Sequence, residues 1–193
     1  MKKNNIIIIP AKGNSKRLKN KNLLQINKRS LIEIACLEAK KSKFFGKIYV
    51  SSEDIRIQKI CKKLKINFIK RPKHLSKDNV EKQEIIVHVL KTLLRKKLKI
   101  SNVVSLQPNS PQFKSKDLDK AYIFFRDKLY LNAPIKELIS VNHDNIQNAC
   151  FRIMTLKAAF QKTLSTKIGI FFTDYIDINN KKDFLKVKKI LEK

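Results

Sequence analysis

Four consecutive isoleucines at positions 6–9 constrain this chain more than any other stretch. Side chains along a strand alternate between faces, so an unbroken apolar run must be covered on both sides. Runs of that kind belong to parallel sheets enclosed by helices. Pro10 ends the run, because it has no N–H to give a ladder. Asn5–Pro10 therefore reads as a buried strand, and the sequence must supply helices to cover it.

It does so in alternation. Residues 30–43 read as a helix, with Ser30 as N-cap and Leu31, Ile34, Ala35 and Ala39 on one face. Residues 47–51 read as a second strand, and 53–64 as a helix with Ile55, Ile60 and Leu64 inward. A third strand, 66–70, is closed by Arg71-Pro72. The helix expected over 80–97 carries Ile85, Ile86, Val89, Leu90, Leu93 and Leu94. Strand 102–106 stops at the Pro108 to Pro111 turn, and 116–129 is helical. Beyond that the pattern loosens into strand-like 137–141, 149–154 and 168–172 and a closing helix over 180–191. Repeated strand-then-helix units imply an α/β fold with a mostly parallel sheet. No repeat or linker divides the chain, and 193 residues suit one domain, 1–193.

In such sheets ligands sit beyond the carboxyl ends of the strands. The loop AKGNSKRLKNKN, residues 11–22, leaves the first strand there. Arg71, Gln107 and Asn109 leave other strands at the same rim. Gly13 lets the backbone come close to a ligand, and Ser15, Lys16, Arg17 and Lys21 can surround phosphate oxygens. The spacing is neither that of a P-loop nor GxGxxG, and a solvated basic loop is the competing reading.

A net charge of +28 suggests a nucleic-acid binder. The lysines are spread over nearly every segment, however, and abundant Lys, Asn and Ile with 3 Gly and no Trp fit an AT-rich genome. Specific nucleic-acid binding is not expected. No stretch approaches the roughly 20 apolar residues of a membrane span, and the opening residues do not read as a signal peptide. The expected compartment is the cytoplasm. Cys36, Cys61 and Cys150 form no CxxC pair and read as free thiols. His88, in an apolar helical pattern, reads as a packed histidine, and Phe171–Phe172 as core strand.

Four stretches, in order, resemble the CMP-sialic acid synthetases, the acylneuraminate cytidylyltransferases. IPAKGNSKRLKNKNL is similar to their I-P-A-R-G-G-S-K-x-x-x-x-K-N opening. RPKHLSKDNVEKQEIIVHVL resembles R-P-x-x-L-x-x-D and its following helix, VVSLQPNSPQFKSKDLDKA their L-Q-P-T-S-P-x-R, and YIDINNKKDF their D-I-D-T-x-x-D-F. The resemblance implies a three-layer Rossmann-like nucleotidyltransferase fold. It also implies a reaction in which a keto sugar acid attacks the α-phosphate of CTP and expels pyrophosphate, with Mg²⁺ or Mn²⁺ bridging phosphates.

By that match, Lys12, Ser15, Lys16 and Lys21 grip the triphosphate, with Lys12, Lys21 and Asp177 in catalytic roles. Ala11, Gly13, Asn22, Arg71 and Gln107 complete the nucleotide site, and Asp177 with Asn179 binds the metal. Asp78 is assigned a structural role. Three departures stand out. Lys12 replaces the family arginine and cannot make its planar bidentate grip. Asn179 replaces the second aspartate of D-I-D, which removes a charge a hard cation favours. The region that usually builds the sugar site and the dimer is short, with NACFRIM standing near the family's N-G-x-x-Y-I. A homodimer is expected from the resemblance. A catalytically weak or inactive binding protein is the alternative.

Overall fold

The computed structural model describes residues 4–129, 134–143, 146–163 and 165–192. Among these residues, seven strands form one sheet in the order β5-β4-β1-β6-β8-β7-β9. They are β1 (Asn5–Pro10), β4 (Lys47–Ser52), β5 (Asn67–Lys70), β6 (Asn102–Leu106), β7 (Glu137–Val141), β8 (Gln147–Thr155) and β9 (Ile168–Phe172). A separate two-stranded ribbon pairs β2 (Gln25–Ile26) with β3 (Arg29–Ser30). The helices are α1 (Leu31–Ala39), α2 (Ile55–Lys63), α3 (Lys82–Arg95), α4 (Ser115–Lys128) and α5 (Lys181–Leu191). None of them is long and apolar enough to cross a membrane.

β1 lies at the centre, parallel to β4 on one side and β6 on the other. Its four isoleucines are fully buried and divide between two cores. Ile7 and Ile9 join α1, α2 and α4 through Ile32, Ile57, Leu118 and Phe125. Ile6 and Ile8 join α3 through Ile86, Val89, Leu90 and Leu93. The doubly apolar run thus sits between two helical layers. Each isoleucine contributes about 1.5–3 kcal/mol of burial.

β8 runs antiparallel to both neighbours. Only residues 142–146 separate it from β7, and a parallel crossover needs a dozen or more. The closing turn of the β2–β3 ribbon, Asn27-Lys28, has φ of 48° and 61°, as a two-residue hairpin requires. Its sequence carries no Asn-Gly signal.

Two sequence expectations need correcting. α1 ends at Ala39, not at 43, because Ser42 turns inward to donate to buried Asp119, at 2.6 Å. In α2 the buried stripe is Ile57 and Cys61, while Ile55 points out, 60% exposed. Asp54 caps α2 by accepting from the Arg56 N–H at 2.7 Å, which starts the helix at Ile55, two residues later than the apolar pattern suggests, and leaves Ile55 facing outward. Leu94 lies at the margin of the α3 stripe and is partly exposed. A small third core of Ile26, Leu31, Ile178 and Val187 packs α5 against the ribbon, with Leu18 of the basic loop alongside.

Candidate active site

From β1 the chain winds outward to β4 and β5, then α3 carries it back across to β6 on the other flank. The connections after β1 and β6 therefore diverge, and a crevice opens at their carboxyl ends. A cavity of about 290 Å³ lies there, lined by Lys12, Ser15, Arg17, Lys21, Asn22, Arg71, Asp78, Lys82, Gln107 and Asn109 among others. An adjoining opening of about 310 Å³ adds Lys16 and Asn179 to the same loop.

The basic loop is held from below. The Ala11 N–H bonds Ser51 O at 2.9 Å, and the Ala11 side chain lies in the main core, away from the cleft. The Gly13 N–H donates to Glu53 at 2.8 Å. Gly13 has an ordinary φ, and what it provides is space: a Cβ there would collide with the Asp54 side chain. Buried Asn22 donates to the Lys12 carbonyl at 2.8 Å, closing the loop on itself. Asn22 thus staples the loop while lining the cavity.

Arg71 is 3% exposed. Its Nη2 donates to Ser51 O at 2.6 Å, and Glu53 lies 3.9 Å away. Burial pushes its pKa down, opposed by Glu53. Glu53 also accepts from the Ser76 hydroxyl at 3.2 Å. One carboxylate therefore ties together the loop after β1, the end of β4 and the segment after β5.

Lys12 and Lys16 both pair with Asp78. Lys21 donates to Ile178 O at 3.0 Å, and burial lowers its pKa, opposed by Asp177. The Asp177 carboxyl is raised by burial, opposed by the Ser110 hydroxyl that donates to it and by Lys82 and Lys21. Asp177 thus sits against the cleft through its contact with Ser110 and the field of two cleft lysines. Asn179 lies exposed at the entry to α5, where its N–H bonds Asp183 at 2.9 Å. Asn109 accepts from Ile178 N–H through its carbonyl at 2.8 Å. Its buried side-chain oxygen has no protein partner among the described residues.

Among the described residues, no three His, Cys, Asp or Glu side chains gather to hold a metal. Beside the cleft Asp177 and Asn179 offer a carboxylate and an amide oxygen, while the Asp78 carboxylate that lines it is taken by Lys12 and Lys16. Mg²⁺ is usually held by one or two carboxylates together with substrate phosphates. The donor set fits such an ion, bound with phosphate, and does not fit a caged structural ion.

A further cavity of about 490 Å³ shares Val80, Lys82 and Gln107 with the first and extends over β8 to Phe151, Arg152, Met154 and Lys162. Arg152 is fixed by fully buried Glu137, at 3.0 Å from Nε and 2.6 Å from Nη2. Its third nitrogen bonds Gln83 at 3.2 Å. The two cavities meet at Lys82 and Gln107.

Sequence reasoning passed over Glu53, Lys82, Ser110 and Arg152. Glu53 carried a usable signal, since acids at the carboxyl end of a strand are informative in a chain with 16 acids against 44 lysines and arginines. The Nδ1 of half-buried His88 has no hydrogen-bond partner among the described residues, and its pKa is lowered first by burial. Phe171 packs on the core, whereas Phe172 is 50% exposed and stacks on His143. The three cysteines are buried and free.

A family model described as cytidylyltransferase matches residues 6–166. The chain is 29% identical to post-translational flagellin modification protein B of Campylobacter coli over 184 residues, covering 87% of this chain and 77% of that protein. It is 31% identical to N-acylneuraminate cytidylyltransferase of Escherichia coli O18:K1:H7 over 125 residues, 65% of this chain. The match spans 28% of that enzyme's length. In fold it is similar to CMP:2-keto-3-deoxy-manno-octonic acid synthetase complexed with CTP, with a TM-score of 0.76, 14% identity, and coverage of 97% of this chain and 98% of that one.

Proposed function

This chain belongs to the cytidylyltransferase family, and on that premise we propose that it transfers CMP from CTP to a keto sugar acid of the nonulosonic class. The observation that carries the reading is the meeting of the two cavities. One is ringed by Lys12, Lys21 and Arg71, and the other extends over β8. The triphosphate occupies the first, with Lys12, Ser15, Lys16 and Lys21 on its oxygens. The acid lies in the second, where Lys82 and Lys162 offer charge to its carboxylate. Its anomeric hydroxyl meets the α-phosphate between Lys82 and Gln107. A bond forms from the sugar oxygen to phosphorus as the bond to pyrophosphate breaks, and the hydroxyl proton is released.

The work of these side chains is positioning and charge neutralisation. Glu53 and Asn22 fix the loop backbone at Gly13 and Lys12, so only the lysine side chains need be ordered during the reaction. Buried Arg71 braces the floor through Ser51. Asp177 and Asn179 would hold Mg²⁺ or Mn²⁺, which would supply neutralisation of phosphate charge. The compartment we propose is the cytoplasm, and the assembly a homodimer.

A second reading is favoured by one observation, that Asp177 has an amide and not a carboxylate beside it. The chain would then bind nucleotide without turnover. A thermal-shift titration with CTP, UTP, ATP, GTP and pyrophosphate, with and without Mg²⁺, tests the first step. A shift selective for CTP with Mg²⁺ is expected, followed by pyrophosphate release when a nonulosonic acid is added. Equal shifts with every polyanion would overturn the reading. CTP selectivity without pyrophosphate release from any such acid would favour the second.

A further inference from the structure

We propose that Asp78 is an internal stand-in for phosphate, occupying the anion site between Lys12 and Lys16 until an incoming phosphoanion displaces it. The inference rests on reading those two lysines as the phosphate grip. Six cationic side chains line the main cleft, namely Lys12, Arg17, Lys21, Arg71, Lys77 and Lys82. Among the described residues lining it, Asp78 is the only acid. Its two oxygens are divided between two lysines, Oδ1 to Lys12 and Oδ2 to Lys16 at 2.9 Å. Two oxygens of one phosphate group bridge a lysine pair in the same way.

The placement suits a removable ligand. Asp78 is 41% exposed and lies in the short connection between the turn Lys73–Ser76 and α3. No residue other than the two lysines bonds its carboxylate among the described residues. A change of side-chain rotamer frees both ammonium groups and leaves the backbone where it is. Both lysines pull the Asp78 pKa down, so the carboxylate is charged at neutral pH.

The thermodynamic consequence is specific. A ligand that binds only the open state has its affinity reduced by the open fraction, whatever the ligand is. Every phosphoanion that takes both lysines is therefore weakened by one common factor. A single phosphate, weak to begin with, falls below useful binding, and a triphosphate with further contacts does not. Asp78 also holds the crowded cations of the loop in place between turnovers.

The test titrates inorganic phosphate, pyrophosphate and CTP in metal-free buffer against the wild-type chain, Asp78→Asn and Asp78→Ala, by calorimetry and NMR shifts. Melting without ligand checks that each variant is folded. Both variants should bind all three anions more tightly, by the same factor of roughly three to ten. A gain that grows with ligand charge would mark simple through-space repulsion and overturn the proposal. No gain, or no binding by any variant, would also overturn it. No gain in the variants, together with a CTP-selective shift with Mg²⁺ in the thermal titration above, sinks this inference and leaves the proposed function standing. A common gain, together with equal thermal shifts for CTP, UTP, ATP and GTP, does the reverse.

Discussion

The two halves of the sheet carry their chemistry differently. On the β5-β4-β1-β6 side every strand is parallel, and each carboxyl end delivers a side chain to one rim. On the β8-β7-β9 side a reversed strand turns its flank to the second cavity, and Arg152 enters from the middle of β8. The first arrangement fixes a site by topology alone, because loops following parallel strands must converge. The second fixes it by pairing of individual side chains, such as Arg152 with Glu137. A site of the first kind survives drift in its side chains, whereas one of the second kind changes with each substitution.

The largest expected effect separates chemistry from scaffold. Lys21→Ala should lower kcat/KM for CMP transfer about 10²- to 10³-fold, as loss of one charge-stabilising donor does, while the lost bond to the Ile178 carbonyl costs the fold no more than about 1–3 kcal/mol. A loss under threefold would move the triphosphate away from the parallel half. Next comes the contrast in packing. Ile8→Ala in β1 should cost about 2–5 kcal/mol in urea unfolding. Ile170→Ala on β9, where the side chain is 46% exposed, should change it by no more than about 0.5 kcal/mol. Equal costs would break the comparison.

Gly13→Ala should destabilise by about 1–3 kcal/mol, since the methyl must push Asp54 aside. Adding Asp54→Ala to it should cost less than the two single changes summed, and strict additivity would show that the two sites do not touch. The smallest effect is one of pH. Burial raises the Asp177 pKa above its ordinary 3.8 in the folded chain. The stability this group contributes is full below that value and is lost as pH rises through the raised one. Asp177→Asn should therefore gain on the wild type in melting temperature from about pH 4 toward neutrality, while losing activity. A difference that stays flat with pH would mean the carboxyl is not raised.

The parallel half was legible because its signals are periodic and local. The run Ile6–Ile9 announced a strand with two covered faces, and Gly13, Arg71 and Gln107 stood just past strand ends. Proximity across the sequence was not legible. That Glu53 would bond Gly13, or Asp78 would bridge Lys12 and Lys16, depends on side chains some 40 and 66 residues apart. Asp54 and Ser42 moved helix ends by single hydrogen bonds, which apolar periodicity does not register. The reversed strand β8 could have been foreseen from the short 142–146 connection. Arg152 carried no such signal, since nothing in NACFRIM tells which way its side chain turns.

The third small core has a consequence for how the molecule comes into being. It joins Leu18 and Ile26 to Ile178 and Val187, and Lys21 is bonded to a carbonyl 157 residues away. A nascent chain that has reached only β6 already displays its basic loop, yet nothing in it can seat Asp177 or cap the ribbon. Closing so long a span is entropically late, and contacts of high sequence separation form slowly. The cleft should be the last part to mature, after the sheet. During synthesis the lysines then meet cellular polyanions before they meet α5.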